Sequence, residues 1–297
     1  MKIVVVGSIN MDYSLRVQQL PRKGETVSAS SYIVTAGGKG ANQAVAARRL
    51  GAEVALIGAL GADEAGRELK ARLNQEGIDL SGVAVTNGYT GIAQITVEDS
   101  GENSIVIAPG ANSELESVWI ERNESLLREA DFVLVQLEIP MDSVGTAVRV
   151  AHRLGRKVIL NPAPAKPIPE ELYPCIDILT PNETELQKLT GYSDVQEGAK
   201  ALLAKGVKRV IVTLGERGCF CMDAEHALSV PSVPIIAIDA TGAGDAFNGA
   251  LAVALSEKMA LEEALGFANQ VGAWVASRAG AQIAMPYRRE IDGEAIS

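Results

Sequence analysis

At 297 residues and 47% hydrophobic content, the chain is long enough to bury a full α/β core without disulfides or structural metals. A formal net charge of −10 excludes the broad positive field that DNA, RNA or an acidic membrane needs, so neither nucleic acid nor membrane is expected as a partner. An anionic ligand then has to be met locally, by backbone amides, a metal ion or a few cations.

The first apolar run, 3–6, reads as a buried strand and stops at Gly7, too short for a signal-peptide core or a membrane span. Three cysteines, two of them at 219 and 221 in one apolar strand-like run, make no disulfide framework; reduced thiols and a cytoplasmic location are expected. Segment 13–36 breaks into short alternating patterns around Pro21 and Gly24, and helix 41–50 follows. Strand 54–57 and helix 64–76 come next, then a second alternating segment at 89–108 with a turn at Asp99, Ser100 and Gly101.

From there strand 132–137, helix 143–154, strands 158–160 and 176–179, helix 196–205 and strand 210–214 restore the rhythm. An apolar strand at 235–238 leads into helices 246–256 and 261–276. This β-then-α order predicts a three-layer α/β/α sandwich with a largely parallel central sheet, its ligands at the carboxyl ends of the strands. Residues 1–297 read as one unit, and the two insertions, about 13–36 and 89–108, read as a small β-sheet lid or as a pair of edge hairpins.

The richest local signal is the passage through Asp239, Thr241, Gly242, Ala243, Gly244 and Asp245 into an Ala-rich helix. Unpaired amides at a helix start, with glycines allowing close approach, hold anions, and Thr241 is a candidate cap. A dinucleotide fingerprint fails here, because Phe247 stands where the third glycine belongs and Asp245 would set a carboxylate beside a pyrophosphate. Beside an anion hole, an acid makes chemical sense as the acceptor of an alcohol proton during phosphoryl transfer. It reads equally as a first-turn Asp stabilising the helix dipole.

This segment, DATGAGDAFNGA, resembles the carboxyl-terminal signature of the ribokinase family of carbohydrate kinases, also called the phosphofructokinase B family. Segments 7–12 (GSINMD) and 35–44 (TAGGKGANQA) resemble its sugar-binding segments, and 161–165, 180–185, 213–218 and 278–281 follow in the family's order, so the likeness spans almost the whole chain. It implies ATP-dependent phosphorylation of a small sugar, ribose foremost, at its primary 5-hydroxyl. Deoxyribose, fructose or adenosine as acceptor, or a sugar-binding regulator that transfers nothing, are the alternatives.

By the same resemblance Asp245 is the base, and Gly242 with the amides of Ala243, Gly244 and Asp245 forms the anion hole. Asn10, Asp12, Gly38, Lys39, Asn42 and Glu138 meet the sugar, although Asn10 and Asp12 after a strand also suit Asx turns. Lys39 is no P-loop lysine, since G-x-x-x-x-G-K-[ST] is absent. Asn182 and Glu185 match an element near the nucleotide phosphates and Mg²⁺, which Glu185 reaches through water; they also suit the first turn of a helix opened by Pro181.

Thr213, Gly215 and Gly218 match the nucleotide loop, with Asn269 bordering the adenine. Asp239, Thr241, Val275, Arg278 and Gly280 match the monovalent-cation site, usually potassium, where Ala284 replaces a serine that often completes it. A homodimer through the lid is expected.

Overall fold

In the computed structural model, residues 1–100 and 102–293 are described; Gly101 of the expected turn and 294–297 of the expected unit lie outside them. Strand β1 (Lys2–Val6) shows how the layers arise. Ile3 and Val5 point into one apolar cluster and Val4 and Val6 into the other, all four fully buried, because alternate side chains leave opposite faces of a sheet.

After β1 come β2 (Asn10–Val17), β3 (Ser31–Gly37), α1 (Lys39–Arg49), β4 (Glu53–Gly61), α2 (Glu64–Gln75), β5 (Asp79–Thr86), β6 (Gly91–Glu98) and β7 (Asn103–Ala108). The middle holds α3 (Ser117–Arg122), α4 (Glu124–Glu129), β8 (Phe132–Gln136), α5 (Met141–Arg153), β9 (Lys157–Asn161) and β10 (Ile178–Leu179). The last third holds α6 (Glu183–Thr190), α7 (Val195–Ala204), β11 (Arg209–Thr213), β12 (Cys219–Asp223), β13 (Ala227–Val230), α8 (Ala243–Ser256), α9 (Leu261–Ala276) and α10 (Arg288–Ile291).

Nine strands form the main sheet in the order β13-β12-β11-β10-β9-β8-β1-β4-β5, parallel from β11 to β5 and antiparallel at β12 and β13. Helices α1, α2, α8 and α9 contribute to one apolar cluster, α3 to α7 to the other. The expected sandwich is therefore present, with β5 as an edge strand that the sequence reading did not include.

The two insertions form a separate four-stranded sheet, β3-β2-β6-β7. Its middle pair, β2 with β6, is parallel in register Asn10↔Gly91 to Val17↔Glu98, which ties the two insertions together and rules out independent edge hairpins.

One expected strand is not there: 235–238 pairs with no strand. It follows Pro231 and Pro234, which lack the N–H a ladder needs, and its only backbone anchor beyond itself among the described residues is Ile238 N donating to Ala276 O (2.8 Å). Ile236 is consequently 87% exposed and Ile238 68%.

Candidate active site

Side chains and amides converge where β1, β8, β9, β10 and β11 end, because crossovers of parallel strands leave that edge lined by loops and helix starts. The turn from β3 into α1 is set by two glycines. Gly38 has φ 88°, and a Cβ on it would sit 2.7 Å from Asn10 N; a Cβ on Gly37 would fall 2.0 Å from Asp12 Oδ2. Their absence of side chains lets Lys39, Asn42 and Gln43 on α1 reach the same spot as β2.

Asp245 lies in the first turn of α8, which opens after Gly242 at φ 79°. Its carboxylate is buried and accepts from Asn42 Nδ2 at Oδ2 (2.9 Å) and from Gln43 Nε2 at Oδ1 (3.1 Å). Burial pushes its pKa above the usual carboxylate value, with Glu138 adding, while Lys39 and the two amide donors oppose. Burial would lower the Lys39 pKa, yet Asp245, Glu138, Glu185 and Asp12 around it hold the ammonium charged, above its ordinary value.

The amides of Gly244 and Asp245 have no partner among the described residues, whereas Ala243 N donates to Ala240 O (3.2 Å). Of the three amides expected to form an anion hole, two are thus free of a partner among the described residues in this conformation. Thr241 does not cap α8: its hydroxyl donates to Asp239 Oδ1 (2.6 Å), and Gly242 holds the cap position.

On the other side of Asp245 stand Asp12, Asn10 and Glu138. Neither Asn10 nor Asp12 makes an Asx turn; both belong to β2. Asn10 Oδ1 accepts from Asn112 Nδ2 (2.7 Å), and Asn112 also clamps both backbone groups of Ile9. Asn10 Nδ2 therefore remains as a donor with no partner among the described residues. Asp12 Oδ1 is buried with no hydrogen bond, and burial, then Glu138 and Asp245, push its pKa up to about 7 against the pull of Lys39. Glu138 is held by Ser8 Oγ (2.5 Å) and by the Lys39 amide (3.2 Å).

A cavity of about 420 Å³ opens from Asp245 and Gly244 past Lys39 to Asn182, Glu185 and Thr213, with Ile105 of β7 over it and Asp239 to Gly242 at its far wall. Asn182 caps α6 reciprocally with Glu185, Glu185 N to Asn182 Oδ1 (2.8 Å) and Asn182 N to Glu185 Oε2 (2.9 Å), so the pair is both helix start and cavity wall. Burial raises the Glu185 pKa, with the Asn182 amide and Lys39 restraining it. Among the described residues there is no cluster of three or more His, Cys, Asp or Glu for a metal ion. The donor set, one carboxylate with an unbonded oxygen in an oxygen-lined cavity, fits Mg²⁺ arriving with nucleotide phosphates and water.

Thr213 bridges to Asn182, and Gly215 (φ 60°) and Gly218 (φ 89°) bound the turn after β11. Asn269 is buried, and its Nδ2 donates to Val230 O (3.0 Å) and Pro231 O (3.2 Å), anchoring the exit of β13. Asp239 accepts from the Thr241 amide and hydroxyl and from Gly280 N (2.9 Å); burial opposes ionisation, but these bonds hold its pKa below the ordinary value. Val275 O already accepts from Arg278 N (3.0 Å), and the Arg278 guanidinium stacks 3.5 Å over the Trp274 ring. Ala284 is buried and supplies no side-chain oxygen.

Several site residues escaped the sequence reading. Gln43, Asn161 and Asn248 stand inside motifs it singled out, Gln43 beside the chosen Asn42; Asn112, Gln136, Gln282 and Ile105 have no signal in spacing at all.

Residues 1–288 match the model of the pfkB family of carbohydrate kinases. A ribokinase of Haemophilus influenzae is 42% identical over 294 residues, covering 97% of this chain and 96% of that protein. Among solved structures, a ribokinase of Thermotoga maritima superposes with TM-score 0.92 at 37% identity, covering 98% of both chains. An Arabidopsis thaliana ribokinase complexed with ribose and ATP superposes with TM-score 0.91 at 35% identity, covering 98% of this chain and 97% of that one. The chain belongs to the pfkB family of carbohydrate kinases.

Proposed function

We propose that this carbohydrate kinase transfers the γ-phosphoryl group of ATP to the primary 5-hydroxyl of D-ribose, giving ribose 5-phosphate and ADP, with Asp245 as general base. The observation that supports it most is a buried carboxylate fixed by Asn42 and Gln43, beside the unpartnered amides of Gly244 and Asp245, at the opening of a cavity large enough for a triphosphate. Asp245 takes the hydroxyl proton as the bond from O5 to the γ-phosphorus forms and the bond from that phosphorus to the β,γ-bridging oxygen breaks; ADP leaves with the electron pair. The Gly244 and Asp245 amides meet the charge on the transferring group, and Lys39 stands between the two ligands.

Bound Mg²⁺ would neutralise β- and γ-phosphate charge beside Glu185, Asn182 placing that carboxylate through their reciprocal cap. Bound K⁺ would order the Asp239 to Gly242 turn, with Asp239, Thr241 and carbonyls of Val275, Arg278 and Gly280 around it. Thr213, Gly215 and Gly218 would line the nucleotide. The β3-β2-β6-β7 sheet acts as a lid belonging to the same unit, its site-side face apolar at Ile33, Ile105 and Ile107, and a homodimer through that sheet would cover what these side chains leave exposed. A cytoplasmic enzyme would find both substrates in its own compartment.

Ribose is favoured over a deoxy sugar by the donor and acceptor pair at Asn10 and Asp12. With Asn10 Oδ1 taken by Asn112, its Nδ2 suits one hydroxyl of a vicinal diol, and Asp12 accepts from the other. A missing hydroxyl leaves one of them unpaired at about 1–3 kcal/mol. Initial rates with ribose, 2-deoxyribose, fructose and adenosine at matched MgATP, with and without potassium, test this. Ribose should lead 2-deoxyribose by about tenfold or more in kcat/KM; a preference for deoxyribose or adenosine would refute the assignment.

A further inference from the structure

Asp245 rests on two strings of buried amides. At Oδ1, Gln43 Nε2 donates (3.1 Å), and Gln43 Oε1 in turn accepts from Gln136 Nε2 (2.6 Å). At Oδ2, Asn42 Nδ2 donates (2.9 Å), and Asn42 Oδ1 accepts from Gln282 Nε2 (3.0 Å). The four side chains come from α1, β8 and the turn at 282–284, and all are buried.

In both strings the bond from each amide to its neighbour runs toward the carboxylate, and Gln43 Nε2 also donates to Asn161 Oδ1 (3.3 Å). A primary amide has one donating and one accepting end, so the direction of a string is decided by what stands at its terminus. An ionised carboxylate only accepts, whereas a carboxylic acid accepts more weakly at its hydroxyl oxygen and carries an O–H for which these two donors offer no acceptor. The remote end of the first string shows the same direction: Gln136 Oε1 is buried without a partner among the described residues, against Gly7, where a Cβ would come within 2.0 Å of it. Reversing Gln136 alone would set its oxygen against Gln43 Oε1, acceptor against acceptor, so the string stays as it is.

We infer that Gln43 and Gln282 are positioning residues which, through these two strings, hold Asp245 ionised and its remaining lone pairs aimed at the acceptor hydroxyl. The inference rests on Asp245 being the base. The charges facing Asp245 are Lys39 on α1, Asp12 on β2, Glu138 after β8 and Glu185 on α6; three of the four, with burial, favour its neutral form, and the strings act with Lys39 against them. Charge-assisted bonds of this kind weaken when the acceptor is protonated, which couples string geometry to the protonation state.

The test is the pH dependence of kcat for Gln43→Met and Gln282→Met, at saturating ribose and MgATP so that bound sugar occupies Asp12. The acidic limb should move up by about one pH unit in Gln43→Met and by less in Gln282→Met, which acts through Asn42. Raising the pH should restore both variants to within about twofold of the unmodified enzyme. An equal loss at every pH, with the limb in place, would mean the glutamines merely fill space and would overturn the inference.

If Gln43→Met does not fold, the unmodified enzyme still decides: the side-chain NH₂ resonances of Asn42 and Gln43 should shift together across the acidic limb of kcat, and resonances that stay put through it would overturn the inference. Asp245→Asn separates the two levels. Near-full turnover there refutes the base itself; lost turnover there with unshifted limbs in both glutamine variants leaves the base standing and removes the strings.

Discussion

Two ends of the region around Asp245, α1 with β2 at one and the 235–242 segment at the other, proposed to face sugar and nucleotide respectively, are built on different plans. At the first, Asp245, Asn42, Gln43, Asn10 and Asp12 are all buried, and each but Asp12 is hydrogen-bonded within the protein. At the second, Ile236 and Ile238 stand 87% and 68% exposed on a segment that pairs with no strand, and the Asp239 carboxylate is bonded only to its own turn and Gly280. The first end is held by hydrogen bonds within the protein, as the aiming of a proton acceptor proposed for Asp245 requires. The second end leaves apolar surface exposed at its isoleucines and has few bonds of its own, as expected if the proposed nucleotide and cation complete it.

That contrast can be broken most decisively at Asp245. Asp245→Asn keeps the shape and removes the acceptor, so turnover should fall by about two to four orders of magnitude while ribose affinity changes only modestly. Steady-state kinetics beside equilibrium ribose binding check this, and parallel losses in both would show that Asp245 binds instead of catalysing. Next in size, Gly37→Ala drives a methyl into the Asp12 carboxylate and should raise the ribose KM by about ten- to a hundredfold with a smaller effect on the KM for ATP. Equal effects on both substrates would erase the distinction between the two ends.

Asp12 gives the contrast a pH dependence. Its pKa rises from 3.8 to about 7 in the folded protein, so the unliganded fold loses stability as the pH climbs from about 4 through 7, where the unfolded chain ionises first. Ribose binding, which uses the ionised acceptor, should run the other way and weaken by up to about tenfold per pH unit below 7. Calorimetric titrations at several pH values check it; Asp12→Asn should bind more weakly, show a flat profile, and melt at a higher temperature than the unmodified enzyme at alkaline pH. The smallest expected effect sharpens the nucleotide end: Ala284→Ser returns a hydroxyl to the rim and should increase potassium activation by about two- to fivefold, read as the rate ratio in potassium against lithium.

Much of the architecture was legible because it depends on period and order. β-branched runs such as 3–6 and 210–214 fall in the buried parallel sheet, and the two alternating insertions form the small sheet. The strand expected at 235–238 failed since apolarity alone does not supply a neighbour to pair with, and β5 went unseen because its pattern is half-exposed and interrupted by Gly82. At the site, charged and glycine-bearing motifs announced Lys39, Glu185 and Asp245. The amides that orient them did not announce themselves: Gln136 stands two residues before Glu138 and Gln282 directly after segment 278–281, but both, like Asn112, lie far in the chain from the residues they touch, and only the closing of the fold brings their nitrogens within reach of Gln43, Asn42 and Asn10.

The most direct test of the central claim is the structure of the complex with ribose and a non-hydrolysable ATP analogue. The account predicts ribose O5 within about 2.6–3.2 Å of an Asp245 carboxylate oxygen, with the terminal phosphate at the Gly244 and Asp245 amides. Ribose bound with its 5-hydroxyl turned away from Asp245, or a terminal phosphate resting elsewhere in the cavity, would contradict it.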